Sequence, residues 1–268
     1  MKRILITGAF GGLGGASTKF FAENGWQVFA LDYNINGAQE INHPNVVPIQ
    51  VDVTSSESIE NSFSVVSQHT DELDVVVNFA GILTMGSVLE LPVSEMQRIL
   101  DINLLGMYRV NQQFFPMIAK AKGRIINISS ETGVLSPAPF SGFYYLSKRA
   151  VEIYSDALRR ELKYLGIPVV KIRPGAFKTN MQGAVEAVME KTINETKYFN
   201  KQLSKGKSLA KNEAKNAKDP KLLAALVFKV ANSRKPKIAY GLNLNWQLKF
   251  VSALPARLQD FIYYQVLK

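Results

Sequence analysis

The chain begins with a short β-rich run, Arg3 to Thr7, that breaks into TGAFGGLGG and continues as a helical pattern carrying Leu13, Ala16, Phe20 and Phe21. No other feature narrows the choice of fold so far. A strand running through a glycine-rich turn into a helix is the opening of a parallel βαβ unit, because parallel strands need a crossover and the glycines let backbone pack on backbone. The same turn presents free N–H groups and a partial positive charge at the helix N-terminus, which suits a pyrophosphate. A tight turn that binds nothing would use the same glycines, so on its own the turn leaves both readings open.

The remainder repeats the unit. Gln27 to Leu31, Val46 to Val51, Leu73 to Asn78, Arg124 to Ile128, Pro168 to Ile172 and Lys237 to Leu242 are apolar runs of strand length, separated by helical patterns. LDVVVN is almost continuously apolar, as a strand covered on both faces should be. Thr54 or Ser55 can cap the helix that runs to about His69, a long helical pattern spans Val93 to about Ala119, and Ile153, Ala157 and Leu162 carry on the helix that starts near Tyr144. This spacing predicts a seven-stranded, doubly wound parallel sheet with helices on both faces and a ligand along its carboxyl edge.

Two clusters of side chains bear on chemistry. Asp32 ends the second strand about 20 residues beyond the glycines, where a carboxylate can accept hydrogen bonds from both hydroxyls of an adenosine ribose and repel a 2′-phosphate. Neither the glycine turn nor Tyr33 supplies an Arg or Lys, so NAD(H) is expected over NADP(H). Later, Ser129 and Ser130 follow the fifth strand, and Tyr144 and Lys148 appear four residues apart, on one face of a helix. Bringing a phenol from a pKa of about 10 into the neutral range takes roughly 4 kcal/mol of preference for the phenolate, and a nearby ammonium can supply much of it. Tyr-x-x-x-Lys also occurs by chance on amphipathic helices; the glycine turn upstream gives it weight. Tyr145 is three residues from Lys148 and should point about 100° away from Tyr144, as packing or substrate wall.

Composition excludes several classes. The chain of 268 residues holds no cysteine, which removes disulfides, zinc–thiolate sites and a thiol nucleophile, and its two histidines, His43 and His69, are too isolated for a metal site. No run approaches the roughly 18 apolar residues of a membrane span. The first apolar stretch, Ile4 to Ile6, reads as a buried strand and not a secretory signal, so a soluble cytoplasmic protein is expected, with peripheral membrane contact left open. Charge is uneven: 16 Lys and Arg face 16 Asp and Glu up to Thr179, and 16 face 6 from Asn180 onward. The lysines of that basic third sit in a helical stretch without interleaved aromatics or a recognisable nucleic-acid reading motif.

Taken together, TGAFGGLG (Thr7 to Gly14), Asp52, NFAG (Asn78 to Gly81), Asn103, NISS (Asn127 to Ser130), Tyr144-x-x-x-Lys148 and PGAFKT (Pro174 to Thr179) resemble the short-chain dehydrogenase/reductase family in order and spacing. The resemblance covers roughly residues 1 to 180 and implies a single Rossmann domain that moves a hydride between NAD(H) and a secondary alcohol or ketone. It implies that Gly8, Gly11, Gly12, Leu13 and Gly14 line the pyrophosphate turn, Asp32 meets the adenosine ribose, Asp52 and Val53 the adenine edge, and Asn78, Ala80 and Gly81 the central cofactor wall. Pro174, Gly175, Phe177 and Thr179 would meet the nicotinamide end or the phosphates. Tyr144 would be the general acid/base, Lys148 its partner on the nicotinamide ribose, and Ser130 a donor to the substrate oxygen. Asn103 would hold a water in a helix irregularity. Phe79 departs from the usual NNAG, and altered packing behind the strand is expected. Members are commonly dimers or tetramers, which implies a homo-oligomer. A catalytically silent NAD(P)-binding regulator is the alternative; the joint presence of Asn103, Ser130, Tyr144 and Lys148 argues against it.

Beyond the 1–179 core, residues 180–218 read as a helical substrate lid, with Val185, Val188, Met189 and Ile193 spaced for an apolar face, or as a solvated insertion. Asp219 and Pro220 then start another helix. The tail, 243–268, is basic, amphipathic and broken at Pro255, and it could cover the cleft, pack on a partner subunit or lie on an anionic membrane surface. Its composition is similar to the extensions of 17β-hydroxysteroid and retinol dehydrogenases, which implies a bulky lipophilic substrate.

Overall fold

The computed structural model describes residues 1–179 and 181–268, without the side chains of residues 181–185, 210 and 212–214. Asn180 and the side chain of Val185 thus lie outside the described residues. Among those described, β1 (Arg3–Thr7), β2 (Gln27–Asp32), β3 (Val46–Gln50), β4 (Val75–Asn78), β5 (Arg124–Ile128), β6 (Val169–Pro174) and β7 (Ala239–Leu242) form one parallel sheet. Its order is β3-β2-β1-β4-β5-β6-β7. The winding reverses between β1 and β4, and there the carboxyl edge opens a crevice flanked by the two strand ends that carry Thr7 and Asn78.

Side-chain alternation splits the core in two. Ile4 and Ile6 of β1, Val75 and Val77 of β4 and Ile126 of β5 face α1 (Gly12–Glu23). Leu5, Val76 and Ile125 face the opposite layer, which includes α3 (Ser56–Ser67), α5 (Met107–Ala121) and α6 (Gly142–Leu162); of two shorter helices, α2 (Ala38–Ile41) touches α1 and α4 (Val93–Leu100) touches α6. On the first face Phe21 meets Trp26 and Phe228 edge-on, with ring centroids 5.1 and 5.2 Å away. Phe79 packs against this same cluster, so the departure from NNAG is spent on core. The Ser55 hydroxyl caps α3, accepting the Ser58 N–H at 3.1 Å.

One sequence expectation needs refining. The helix expected over Val93 to Ala119 is α4 and α5 joined by a widened π-type turn, Asp101–Gly106, which places Asn103 in the interior. α6 carries Ile153, Ala157 and Leu162 as expected; Ile153, with 66% of its surface exposed, and Ala157 point outward, and the helix buries Leu162 together with Tyr145, Lys148, Val151, Glu152 and Ser155. That polar choice is satisfied internally: Arg173 grips Glu152 with two bonds of 2.9 and 2.8 Å, and the buried Lys171 ammonium reaches Glu152 at 2.9 Å and Asp156 at 2.8 Å. Burial works against the Glu152 carboxylate, but Arg173 and Lys171 outweigh it and hold it below the usual range.

Beyond β6 the chain forms α7 (Met181–Glu195) and α8 (Asn200–Ala214), then α9 (Pro220–Asn232), capped by the Asp219 carboxylate on the Lys221 N–H at 2.8 Å. Met189 is buried, and Val188 and Ile193 are half-buried. The tail is α10 (Trp246–Ser252) and α11 (Ala256–Leu267), separated at Pro255. Among the described residues no helix is long and apolar enough to cross a membrane.

Candidate active site

The glycine turn is shaped by contacts that leave no room for side chains. Gly8 holds φ at +64°, and a Cβ there would lie 2.9 Å from the Ala80 nitrogen. One on Gly14 would lie 1.9 Å from the Gly8 carbonyl oxygen, and one on Gly12 2.4 Å from the Thr179 side chain. Gly11 precedes α1 without side-chain capping, so the first N–H groups of the helix face the turn uncovered by any side-chain acceptor. Leu13 is directed into the core beneath. Such a cradle, with a helix N-terminus behind it and Thr179 across from Gly12, fits a pyrophosphate.

Asp32 ties this turn to the end of β2. Its Oδ2 accepts the Phe10 N–H at 2.8 Å and its Oδ1 the Asn34 N–H at 3.1 Å. Each carboxylate oxygen retains a further lone pair. Asp52 uses one oxygen to hold Thr54, at 2.9 Å to its N–H and 2.7 Å to its hydroxyl. The Val53 side chain packs on Gly106, and its carbonyl accepts from Arg109 at 3.2 Å.

The wall residues divide. Ala80 donates its N–H to the Thr7 hydroxyl at 3.1 Å, which brings the segment after β4 over the end of β1. The Asn78 side chain turns into the core instead, donating to Asn111 at 2.8 Å and Asn127 at 3.0 Å. Asn127 passes on to Ser155 at 2.9 Å, and Asn111 to the Tyr154 hydroxyl at 3.1 Å. Asn111, Asn127, Ser155 and Tyr154 went unread as a unit in the sequence, where their spacing gives no signal. Gly175 is required by the tail, since a Cβ there would lie 1.9 Å from the Asn243 carbonyl oxygen, and Phe177 is buried in the core. Pro174 closes β6.

Four side chains converge on the helix α6 face. Tyr144 is hydrogen-bonded to the Ser130 hydroxyl. The Lys148 Nζ lies 5.9 Å from the Tyr144 ring centre and donates to the Ile128 carbonyl at 3.2 Å. Asn103 pairs with the backbone of Ile82, accepting at 2.8 Å and donating at 3.0 Å, and donates to the Ser147 hydroxyl at 3.0 Å. A Cβ on Gly81 would fall 3.2 Å from Asn103 Oδ1 and 3.6 Å from Lys148 Nζ, so these groups meet at one point of the wall. Tyr145, one residue on, is buried.

Electrostatics in the protein alone run opposite to the simple expectation of a lowered phenol. Burial pushes Tyr144 above its ordinary value; the Ser130 bond offsets part of this and the Glu131 charge adds to it. Burial also drives Lys148 down to about 8. Burial thus favours the neutral form of both groups: at neutral pH Tyr144 stays protonated, while Lys148 is still mostly charged.

Comparison with known proteins agrees with the geometry. The family described as short chain dehydrogenase matches residues 2–190. The short-chain dehydrogenase/reductase family 9C member 7 of Homo sapiens is 30% identical over 281 residues, covering 97% of this chain and 88% of its own. The retinol dehydrogenase 7 of Mus musculus is 33% identical over 207 residues, covering 73% of this chain and 65% of its own. A 3-ketoacyl-(acyl-carrier-protein) reductase from Brucella melitensis, solved with NADH, has a TM-score of 0.73 at 20% identity, covering 90% of this chain and 96% of that one, and shares the fold. The chain belongs to the short-chain dehydrogenase/reductase family of oxidoreductases.

Proposed function

We propose that this oxidoreductase transfers a hydride between NAD(H) and a bulky, lipophilic secondary alcohol or ketone, with Tyr144 as general acid/base. The reading is carried by one observation: Tyr144, Ser130 and Lys148 meet beside Gly81 and Asn103 at the crevice where the sheet reverses. The nicotinamide supplies the hydride chemistry when bound. The chain's own groups do the rest. Ser130 orients the carbonyl oxygen, Tyr144 gives it a proton in reduction and takes one in oxidation, and Lys148 supports the phenolate charge. The Asn103 amide is occupied by Ile82 and Ser147, so a water relaying protons past Lys148 would rest on a backbone carbonyl freed by the widened turn.

NAD(H) is favoured over NADP(H) because Asp32 stands where a 2′-phosphate would bring negative charge. A lipophilic substrate is supported by the apolar, exposed tail and by the resemblance to retinol dehydrogenases. Residues 180–218 act as the lid of a single domain. The exposed Leu105 of the widened turn, Tyr108 of α5 and Ile153 of α6 offer an apolar face for a homo-oligomer, and the exposed Trp246, Phe250 and Phe261 of the basic tail offer contact with a membrane surface.

The test is a screen of alcohols and ketones at the reduced-nicotinamide absorbance, run with both cofactors. Turnover should depend on Tyr144, with Tyr144→Phe losing about 10²- to 10⁴-fold in kcat while cofactor binding persists. Cofactor binding with no turnover on any substrate favours the silent regulator, and a strong preference for NADPH overturns the role given to Asp32.

A further inference from the structure

Glu90, in the segment 82–92 between β4 and α4, gathers three donors from the link between α7 and α8. Its Oε2 accepts the Thr196 hydroxyl at 2.6 Å, and its Oε1 accepts the N–H groups of Lys197 at 2.8 Å and Tyr198 at 3.2 Å. The Thr196 hydroxyl also accepts the Phe199 N–H at 3.1 Å. One turn earlier, the Thr192 hydroxyl donates to the Met85 carbonyl at 3.1 Å. A carboxylate that collects N–H groups ahead of a helix is a common capping device. What sets this one apart is its origin, more than 100 residues away in sequence, on the segment that continues the cofactor wall.

The same segment reaches the catalytic helix. Gly86 donates to the Phe140 carbonyl at 2.7 Å, and a Cβ on Gly142, the first residue of α6, would lie 2.6 Å from Val88. Phe140 holds φ at +64°, a conformation that a bulky residue keeps only where its surroundings insist. Its ring packs on Phe199 at 5.3 Å, directly beyond the Glu90 bonds. At the other end of the hairpin, Lys178 donates to the Lys218 carbonyl at 2.8 Å and Lys218 to the Ala176 carbonyl at 3.2 Å. The α7–α8 hairpin is thus stitched at its base and fastened at its tip.

We propose that Glu90 is a positioning residue that latches the α7–α8 hairpin onto the rim around Tyr144, seating Phe199 against Phe140 as part of the apolar wall a substrate meets. The inference rests on the reading of Tyr144 as the catalytic residue. It extends it by naming what holds the substrate side closed. The Thr196 hydroxyl, joined by the two N–H groups and opposed by burial, keeps the Glu90 carboxyl below its ordinary range, so the latch is in force throughout neutral pH.

The test uses the full chain with Glu90→Ala and, from the other side of the bond, Thr196→Val. Trypsin under native conditions reads the hairpin directly, because α8 carries Lys201, Lys205, Lys207 and Lys211. Cleavage there should rise at least about tenfold in both variants, with the melting temperature nearly unchanged. On a bulky substrate KM should rise about tenfold with kcat within about twofold, and Glu90→Gln, which keeps one acceptor oxygen, should fall between. Unchanged cleavage overturns the latch even in an active enzyme, and so does a loss of kcat that follows the melting temperature. Faster cleavage in a protein that turns over nothing keeps the latch and rejects the catalytic reading.

Discussion

A methyl group added to Gly14 would sit 1.9 Å from the carbonyl oxygen of Gly8, whereas one added to Gly206 on α8 would meet nothing within 4 Å. The two positions stand for two halves built differently. Up to Thr179 the strands are buried on both faces and the charges balance. Beyond it, α9 and β7 still belong to that core and sheet, but the tail lies on the surface: Trp246 is 73% and Phe250 62% exposed, and polar bonds such as those of Glu90 and the Asn245 N–H to Glu131 at 2.6 Å help hold the outer helices in place. The difference teaches where precision is needed. Hydride and proton transfer tolerate little displacement, and the residues proposed for them sit on α6 and just beyond β5, in the buried half; a substrate-facing part must open and close.

The sharpest break of that comparison is Gly14→Ala. The obstacle is backbone, which cannot swing aside as a side chain can, so the variant should lose about 3 kcal/mol of stability and melt roughly 6–12 °C lower. Quenching of tryptophan fluorescence by NADH should vanish with it. A variant that binds NADH normally and melts like the parent would show the turn to be looser than its geometry.

The legibility of the two halves follows the same physics. Period-2 burial and a backbone that needs glycine leave marks in composition, so the seven strands, the turn and the Tyr144–Lys148 face could be read from sequence to within a few residues. The amide chain from Asn78 through Asn127 to Ser155 could not, because it joins residues 49 and 28 positions apart that meet only through strand register and through the packing of α6 on the sheet. Glu90 was equally silent, since its partners lie in a segment whose placement depends on the fold. The placement of Tyr144 beside Lys148 could be read, but not the direction in which burial moves the phenol: a neighbouring lysine is visible in sequence, and the dielectric around it is not.

That electrostatic point yields a second prediction within the rigid half. Lys148, lowered to about 8, is charged below that value and neutral above it, while Tyr144, pushed up, stays protonated through the same window. If Lys148 must be charged to support the phenolate as Tyr144 gives up its proton, kcat/KM for ketone reduction holds at neutral pH and falls about tenfold per pH unit above about 8. Stopped assays from neutral to alkaline pH check this, and a profile flat well past that point removes Lys148 from the proton-transfer step.

The smallest effect probes the open half. Gly206 lies within α8 with space around it, so Gly206→Ala stabilises the helix by about 0.5–1 kcal/mol through the unfolded chain's lost freedom. Where that gain appears depends on how the hairpin unfolds. Held at its base, by Glu90 and Met85 and by the Phe140–Phe199 contact, without strand pairing to the sheet in its helices, α7–α8 should open locally before the sheet does. Tryptic cleavage of α8 should then slow about two- to fivefold, while the melting temperature moves by less than about 1 °C because global unfolding starts from an already open hairpin. A rise of several degrees would mean that hairpin and sheet unfold as one unit, and the contrast between Gly14 and Gly206 would be one of local space alone, not of two halves with separate stabilities.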